Sequence, residues 1–139
     1  MNRIELFSLN GRFLLYDFNN NHNQLIIRNP QLSKNIDILF KGVAGLNIFS
    51  TFSDIRISAI DYNSKLIANH DGYSPKFLFE IECLKSHSCS FINAAVCAIF
   101  ENNFPFGITN VEDISRTGNK QIFTSNDHRE FINRYGIKV

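Results

Sequence analysis

From Ile36 to Leu84 apolar and polar residues alternate with the two-residue period of β-strands. Ile36-Ile38-Phe40, Ile55-Ile57-Ala59 and Phe77-Phe79-Ile81-Cys83 each place their apolar side chains on one face. Alternation of this kind marks an antiparallel sheet with one face on a core and the other in water.

The same reading extends to the rest of the chain. Arg3 to Leu9 and Arg12 to Phe18 read as two strands joined by Asn10-Gly11, a dipeptide that tolerates the positive φ angles of a tight hairpin turn. Gln24 to Arg28 is a third strand, stopped at Asn29-Pro30 because proline cannot donate to a ladder. Ile36 to Lys41 follows, then a turn or bulge at Gly42-Val43-Ala44-Gly45. Leu46 to Thr51 and Asp54 to Asp61 are further strands, and Lys65 to Ala68 a brief one. His70-Asp71-Gly72-Tyr73-Ser74-Pro75 carries turn chemistry throughout and leads into Lys76 to Leu84, the clearest strand of all.

Ser90 to Asn102 is readable in two ways. Ile92, Ala95, Val96, Ile99 and Phe100 follow helical spacing, yet they suit a strand buried on both faces equally well. The strand is preferred, with Ser86-His87-Ser88 closing a hairpin onto Lys76 to Leu84. Phe104-Pro105-Phe106-Gly107 is a loop and Lys120 to Thr124 a short strand. Asp127 and Glu130 have capping-box spacing, Gly136 can close a helix, and Phe131 and Tyr135 give it an apolar stripe. The fold class expected is mainly β, bordering α+β: an antiparallel sheet, as a meander or half-barrel, with a short C-terminal helix.

Length narrows this to one domain over residues 1–139, large enough to bury a core without staples. Fourteen Phe and no Trp make the aromatic part of that core mostly Phe. A net charge of +1 with scattered Lys and Arg gives no field for a phosphate backbone, so no direct nucleic-acid partner is expected. No apolar run approaches membrane-spanning length, and Met1-Asn2-Arg3-Ile4-Glu5 lacks the features of a signal peptide. No membrane partner is expected, and the expected location is cytoplasmic. The three cysteines, Cys83, Cys89 and Cys97, fit free thiols in a reducing compartment.

Candidate chemistry is sparse. Cys83, His87 and Cys89 have the residue types of a zinc site, with Cys97, His70 or His128 as the fourth ligand, but C-x3-H-x-C is no familiar zinc module. Cys83 is also in phase with Phe77, Phe79 and Ile81, which makes it a small core hydrophobe. His70-Asp71 is turn chemistry before it is a base and its carboxylate, and no nucleophile elbow or phosphate loop occurs. No catalytic residue, metal or cofactor is therefore assigned, and the chain is not expected to be an enzyme. The remaining candidates form a docking surface. Asp54, Arg56, Glu80 and Glu82 should point away from the core, with Asp61 ending the strand and Leu78 supplying apolar area beside the glutamates. Tyr73 is a candidate aromatic anchor, as is the Phe104-Phe106 pair, although those rings are better read as tucked under their loop. Such an acid-leaning face suits a basic partner, although a solvated sheet face with weak ion pairs is the commoner meaning of the same residues.

The stretch Ile36-Asp37-Ile38-Leu39-Phe40-Lys41-Gly42-Val43-Ala44-Gly45-Leu46, followed by Asp54-Ile55-Arg56-Ile57-Ser58, resembles the strand–F-x-G-V–strand segments of small bacterial immunity proteins. Those proteins neutralise toxins of contact-dependent growth inhibition and polymorphic toxin systems. The resemblance covers about a third of the chain and implies a protein that binds one cognate toxin domain and has no enzymatic role. It carries over no functional residue. The leading expectation is an immunity protein that occludes a toxin, a nuclease being the expected one. The alternatives are a small-ligand-binding β domain whose curved sheet closes around a Phe-lined pocket, and a thiol- or metal-dependent enzyme.

Overall fold

A computed structural model describes residues 3–19, 23–30, 34–60, 77–105 and 118–125. In them nine strands form one antiparallel sheet: β1 (Arg3–Asn19), β2 (Gln24–Pro30), β3 (Asn35–Lys41), β4 (Gly45–Asn47), β5 (Thr51–Ile60), β6 (Phe77–Cys83), β7 (Cys89–Ala94), β8 (Val96–Asn102) and β9 (Lys120–Thr124). The order is β4-β7-β6-β5-β1-β2-β3-β8-β9. Two meanders, β1-β2-β3 and β5-β6-β7, are thus joined along β1 and β5.

That order folds back on itself. β3 runs on into β4 and β7 into β8, and these two long strands lie antiparallel to each other along both halves. Lys41 faces Val96 and Gly45 faces Asn93, so three residues on one strand (42–44) oppose two on the other (94–95). That is a bulge, and Gly42 supplies its positive φ of 63°. Ala44 N–H donates to Asn93 O at 2.8 Å and Ala95 N–H to Lys41 O at 2.9 Å, which carries the ladder across the seam. The ladders therefore close a circuit, β1-β2-β3/β4-β7/β8-β6-β5-β1. The antiparallel sheet expected as a meander or half-barrel is built of two meanders that these ladders join into a closed, barrel-like sheet, an arrangement that leaves few free edges. β9 extends β8 beyond the circuit, and its Phe123 ring lies 5.1 Å from that of Phe7 on β1.

Closure explains where the core sits. The inward phases of β1, β2, β3, β5, β6, β7 and β8 meet in one cluster that includes Phe13, Leu25, Ile27, Ile38, Phe40, Phe52, Ile57, Phe79, Ile81, Ile92 and Cys97. Phe40 on β3 and Phe79 on β6 touch across it, edge to face, with centroids 5.6 Å apart. A smaller cluster of Ile26, Leu39, Ala98, Phe100 and Phe104 lies on the outer side of β2, β3 and β8. Two buried faces make these central strands apolar in both phases. That is why Ser90 to Asn102 also satisfied a helical period, and it forms strands β7 and β8 as preferred.

The Asn10-Gly11 hairpin is a correction. β1 runs unbroken through both residues, and Gly11 (φ 107°) sits where its register with β5 shifts, between Leu9 and Arg12. Its amide donates to Asp54 Oδ1 at 2.8 Å. A positive-φ glycine serves a bulge as well as a turn, and here pairing with β5 decides between them. Leu46 to Thr51 is also corrected: it divides into β4, a connection, and the start of β5. The strand over Lys65 to Ala68, the turn at His70 to Pro75 and the C-terminal helix lie outside the described residues. Among those described, no helix is long and apolar enough to cross a membrane.

Candidate functional site

Alternation on β5 and β6 carries every second side chain to the outside, and the ladder sets these opposite one another: Arg56 beside Glu82, Ser58 beside Glu80. β1 adds Glu5 across from Ser58 and Ser8 across from Arg56. β7 adds Cys89 next to Glu82 and Phe91 next to Glu80. Arg56, Glu80 and Glu82 thus share one surface as their phase predicts. It holds three carboxylates (Glu5, Glu80, Glu82) and two guanidinium groups (Arg3, Arg56).

Their environments differ. Glu80 is in the outward phase yet only 3% exposed, held by Arg3 Nη2 at 2.8 Å from its Oε2. A carboxylate so enclosed serves the fold more than a partner. Glu82 is more open and meets Arg56 Nη1 at 3.5 Å and His87 Nδ1 at 3.7 Å. Arg56 Nε has no hydrogen bond, its nearby carboxylate oxygen, Glu5 Oε1, lying 3.6 Å away. These are long contacts between partly hydrated groups, and they contribute little to stability.

Asp54 lies at the bulge rather than on the regular face, with a φ of 48°. The amide of Gly11 and, next to it, Lys85 at 3.2 Å hold its carboxyl below the usual range. Leu78 is half-buried between Ile60 and Asn93 in the ladder. Asp61, Tyr73, His70 and His128 lie outside the described residues.

The sulfur cluster comes apart. Cys83 faces the core, while Cys89, beside Glu82, faces outward, so the two thiols lie on opposite sides of the sheet. Among the described residues no three His, Cys, Asp or Glu side chains gather at metal-binding spacing. Burial pushes the Cys97 thiol well up, and burial, followed by the charges of Glu80 and Glu82, raises that of Cys89. Thiols shifted in that direction are poor nucleophiles at neutral pH.

One cluster was missed by the sequence reading. Arg28 and Asp37 face each other across β2 and β3, on the outer side, and both are buried. Arg28 donates from Nε to Asp37 Oδ1 at 2.6 Å and from Nη2 to Oδ2 at 2.9 Å. Asn102 donates to Asp37 Oδ2 at 2.8 Å, and Asn35 links Asn102 to the carbonyl of Phe104. The guanidinium lies 3.8 Å from the centre of the Tyr16 ring. Burial alone would lower the Arg28 pKa, but the hydrogen bonds and charge of Asp37 outweigh it and raise it. A signal existed: opposite charges at 28 and 37 fall directly across from each other once β2 and β3 are drawn as a hairpin.

A groove of about 420 Å³ opens beside the β6–β7 turn, between residues 49–53 and 83–88. Its floor includes the core residues Phe52 and Cys83, and its rim is rich in hydroxyls. No protein-family model, curated protein or solved structure matches this chain.

Proposed function

We propose that this protein is an immunity protein: it binds a bacterial toxin domain, a nuclease being the expected one, and occludes its active site. The contact is made by the outer surface of β5 and β6 around the β6–β7 turn. The observation that carries this reading is the set Arg56, Glu82 and His87, three neighbouring charged or ionisable groups whose mutual contacts of 3.5 and 3.7 Å are long, with His87 exposed and Arg56 and Glu82 partly so. Such pairs are worth little to the fold, so they can be exchanged for a partner's charges at small cost. The weak likeness of Ile36 to Leu46 to immunity proteins points the same way. A basic cleft built to hold phosphates can pair with the accessible carboxylates of this face, Glu5 and Glu82. Among the described residues, the interior where a small ligand would sit holds the buried rings of Phe13, Phe40, Phe52 and Phe79.

The test is binding to the toxin domain encoded immediately upstream. Glu82→Lys should lower the association rate roughly tenfold at low ionic strength and much less at high salt, with dissociation changed less. Glu82 is the residue to reverse, because Glu80 is enclosed with Arg3 and its reversal would damage the fold. Absence of a complex removes the proposal, and an unaltered association rate removes this face from it.

A further inference from the structure

We propose that the groove beside the β6–β7 turn is a strand-acceptor site, which takes an extended peptide segment as an added strand along β5. Register decides which backbone groups of β5 face the groove. Leu15 N–H donates to Ser50 O at 2.9 Å, so Leu15 and Ser50 are a hydrogen-bonded pair of the β1–β5 ladder. Bonded and non-bonded pairs alternate in an antiparallel ladder. Phe13 and Phe52 are therefore the next bonded pair, while Leu14–Thr51 and Arg12–Ser53 are non-bonded pairs. In non-bonded pairs the amide and carbonyl point away from the partner strand. The N–H and C=O of Thr51 and of Ser53 thus face away from β1, towards the position of the next strand.

β6 does not reach that position. Its pairing with β5 begins at Ile55 and Cys83, after which the chain bends into the turn. Leu84 N–H still bonds Asp54 O at 2.8 Å, and there the ladder ends. Beyond it lies the groove, lined by Phe49 to Ser53 on one side and by Cys83, Lys85, Ser86 and Ser88 on the other. Four backbone groups on alternate residues, exposed along a short free edge, are the template that an added strand satisfies.

The groove also specifies the side chains. Phe52 points inward, so the peptide residue opposite it points inward too, onto Phe52 and Cys83. That residue should be apolar and of moderate size. Its two neighbours stand beside Thr51 and Ser53 on the outer side and should be polar or hydroxylated. Phe49, 53% exposed at the groove, offers apolar area to the end of the segment. Lys85 is already paired with Asp54, so the site favours no strong charge. The expected occupant is an uncharged polar–apolar–polar tripeptide unit within an extended segment. This inference does not depend on the toxin-binding face.

The experiment is an amide-resolved NMR titration of the whole protein with the blocked peptide acetyl-Lys-Thr-Ile-Thr-Lys-amide, whose terminal lysines keep it soluble. Saturable shifts at Thr51 and Ser53, with changes across the rim at Ser86 and Ser88, are expected. The same peptide N-methylated at both threonines lacks the two donors and should bind at least about tenfold more weakly. Ser53→Pro removes a groove-facing N–H that the β1 ladder does not use, so the fold should persist and binding should fall, whereas Ser53→Ala should bind as the wild type does. Unmoved Thr51 and Ser53 amides, or equal binding of the N-methylated peptide, would overturn the proposal. The second arm uses unaltered protein and decides the matter even if Ser53→Pro fails to fold.

Discussion

Asp37 shows how far a single residue's meaning depends on what lies above it. In sequence it sits between Ile36 and Ile38 in the phase that normally faces water, and alternation alone assigns it to the surface. In the fold it is fully buried, with Arg28, Asn102 and the aromatic ring of Tyr16 stacked on that guanidinium. The charged face was easier to read, because Arg56, Glu80 and Glu82 follow from strand phase alone. What phase could not supply was burial, and so it ranked Glu80 with Glu82. A buried pair is also an asymmetric device. Removing one partner strands the other in a low-dielectric setting, while replacing both with apolar groups is far milder. Asp37→Ala should therefore destabilise the protein by about 3–5 kcal/mol, measured by urea denaturation. The double change Arg28→Met with Asp37→Leu should recover most of that loss. If the double variant were as unstable as the single one, the pair would be holding the β2–β3–β8 surface together in a way its own charges do not explain.

At the scale of elements, strands with one buried face were legible and the joints between them were not. β6 falls within a residue of its expected limits, because alternation reports a single interface. Asn10-Gly11 misled because the dipeptide reports a tolerated φ, and both a turn and a bulge use it. The choice lies in a long-range partner, β5, which local sequence does not contain. The joint itself is a small electrostatic device, since Asp54 accepts from the Gly11 amide and pairs with Lys85. Both interactions are stronger with the ionised carboxylate than with its neutral form, and both hold its pKa below the unfolded value, the Gly11 hydrogen bond most of all. A depressed carboxylate pKa stabilises the fold above the unfolded value and loses that effect as pH falls through the folded one. Asp54→Asn should therefore lower the thermal midpoint at neutral pH, and the gap from wild type should shrink as the solution is acidified below the ordinary carboxylate range. Thermal scans from neutral pH to strong acid provide the check; a gap that stays constant would show that the carboxylate's charge contributes nothing to the bulge.

For the whole molecule the consequential feature is closure, because it ties distant parts of the chain into one unit. The seam is narrow: the bulge at residues 42–44 opposite 94–95, with Ala95 N–H on Lys41 O as one of the bonds spanning it. On one side of this seam β7 pairs with β6, and on the other β8 pairs with β3. In an open sheet these would be opposite margins, free to fray independently. In a closed one the core rings of Phe40 and Phe79 lie against each other, and neither margin can open without exposing both. Ala95→Pro removes the seam donor and leaves the Lys41 carbonyl without it, a loss of about 1–3 kcal/mol. Native-state hydrogen exchange distinguishes the two cases, since it reads the opening energy of each strand separately. With a closed circuit, amides of the β6–β7 ladder and of the β3–β8 ladder should lose protection together and by similar amounts. Loss confined to one ladder would mean that the sheet behaves as two meanders lying side by side, with the seam contributing little to their union.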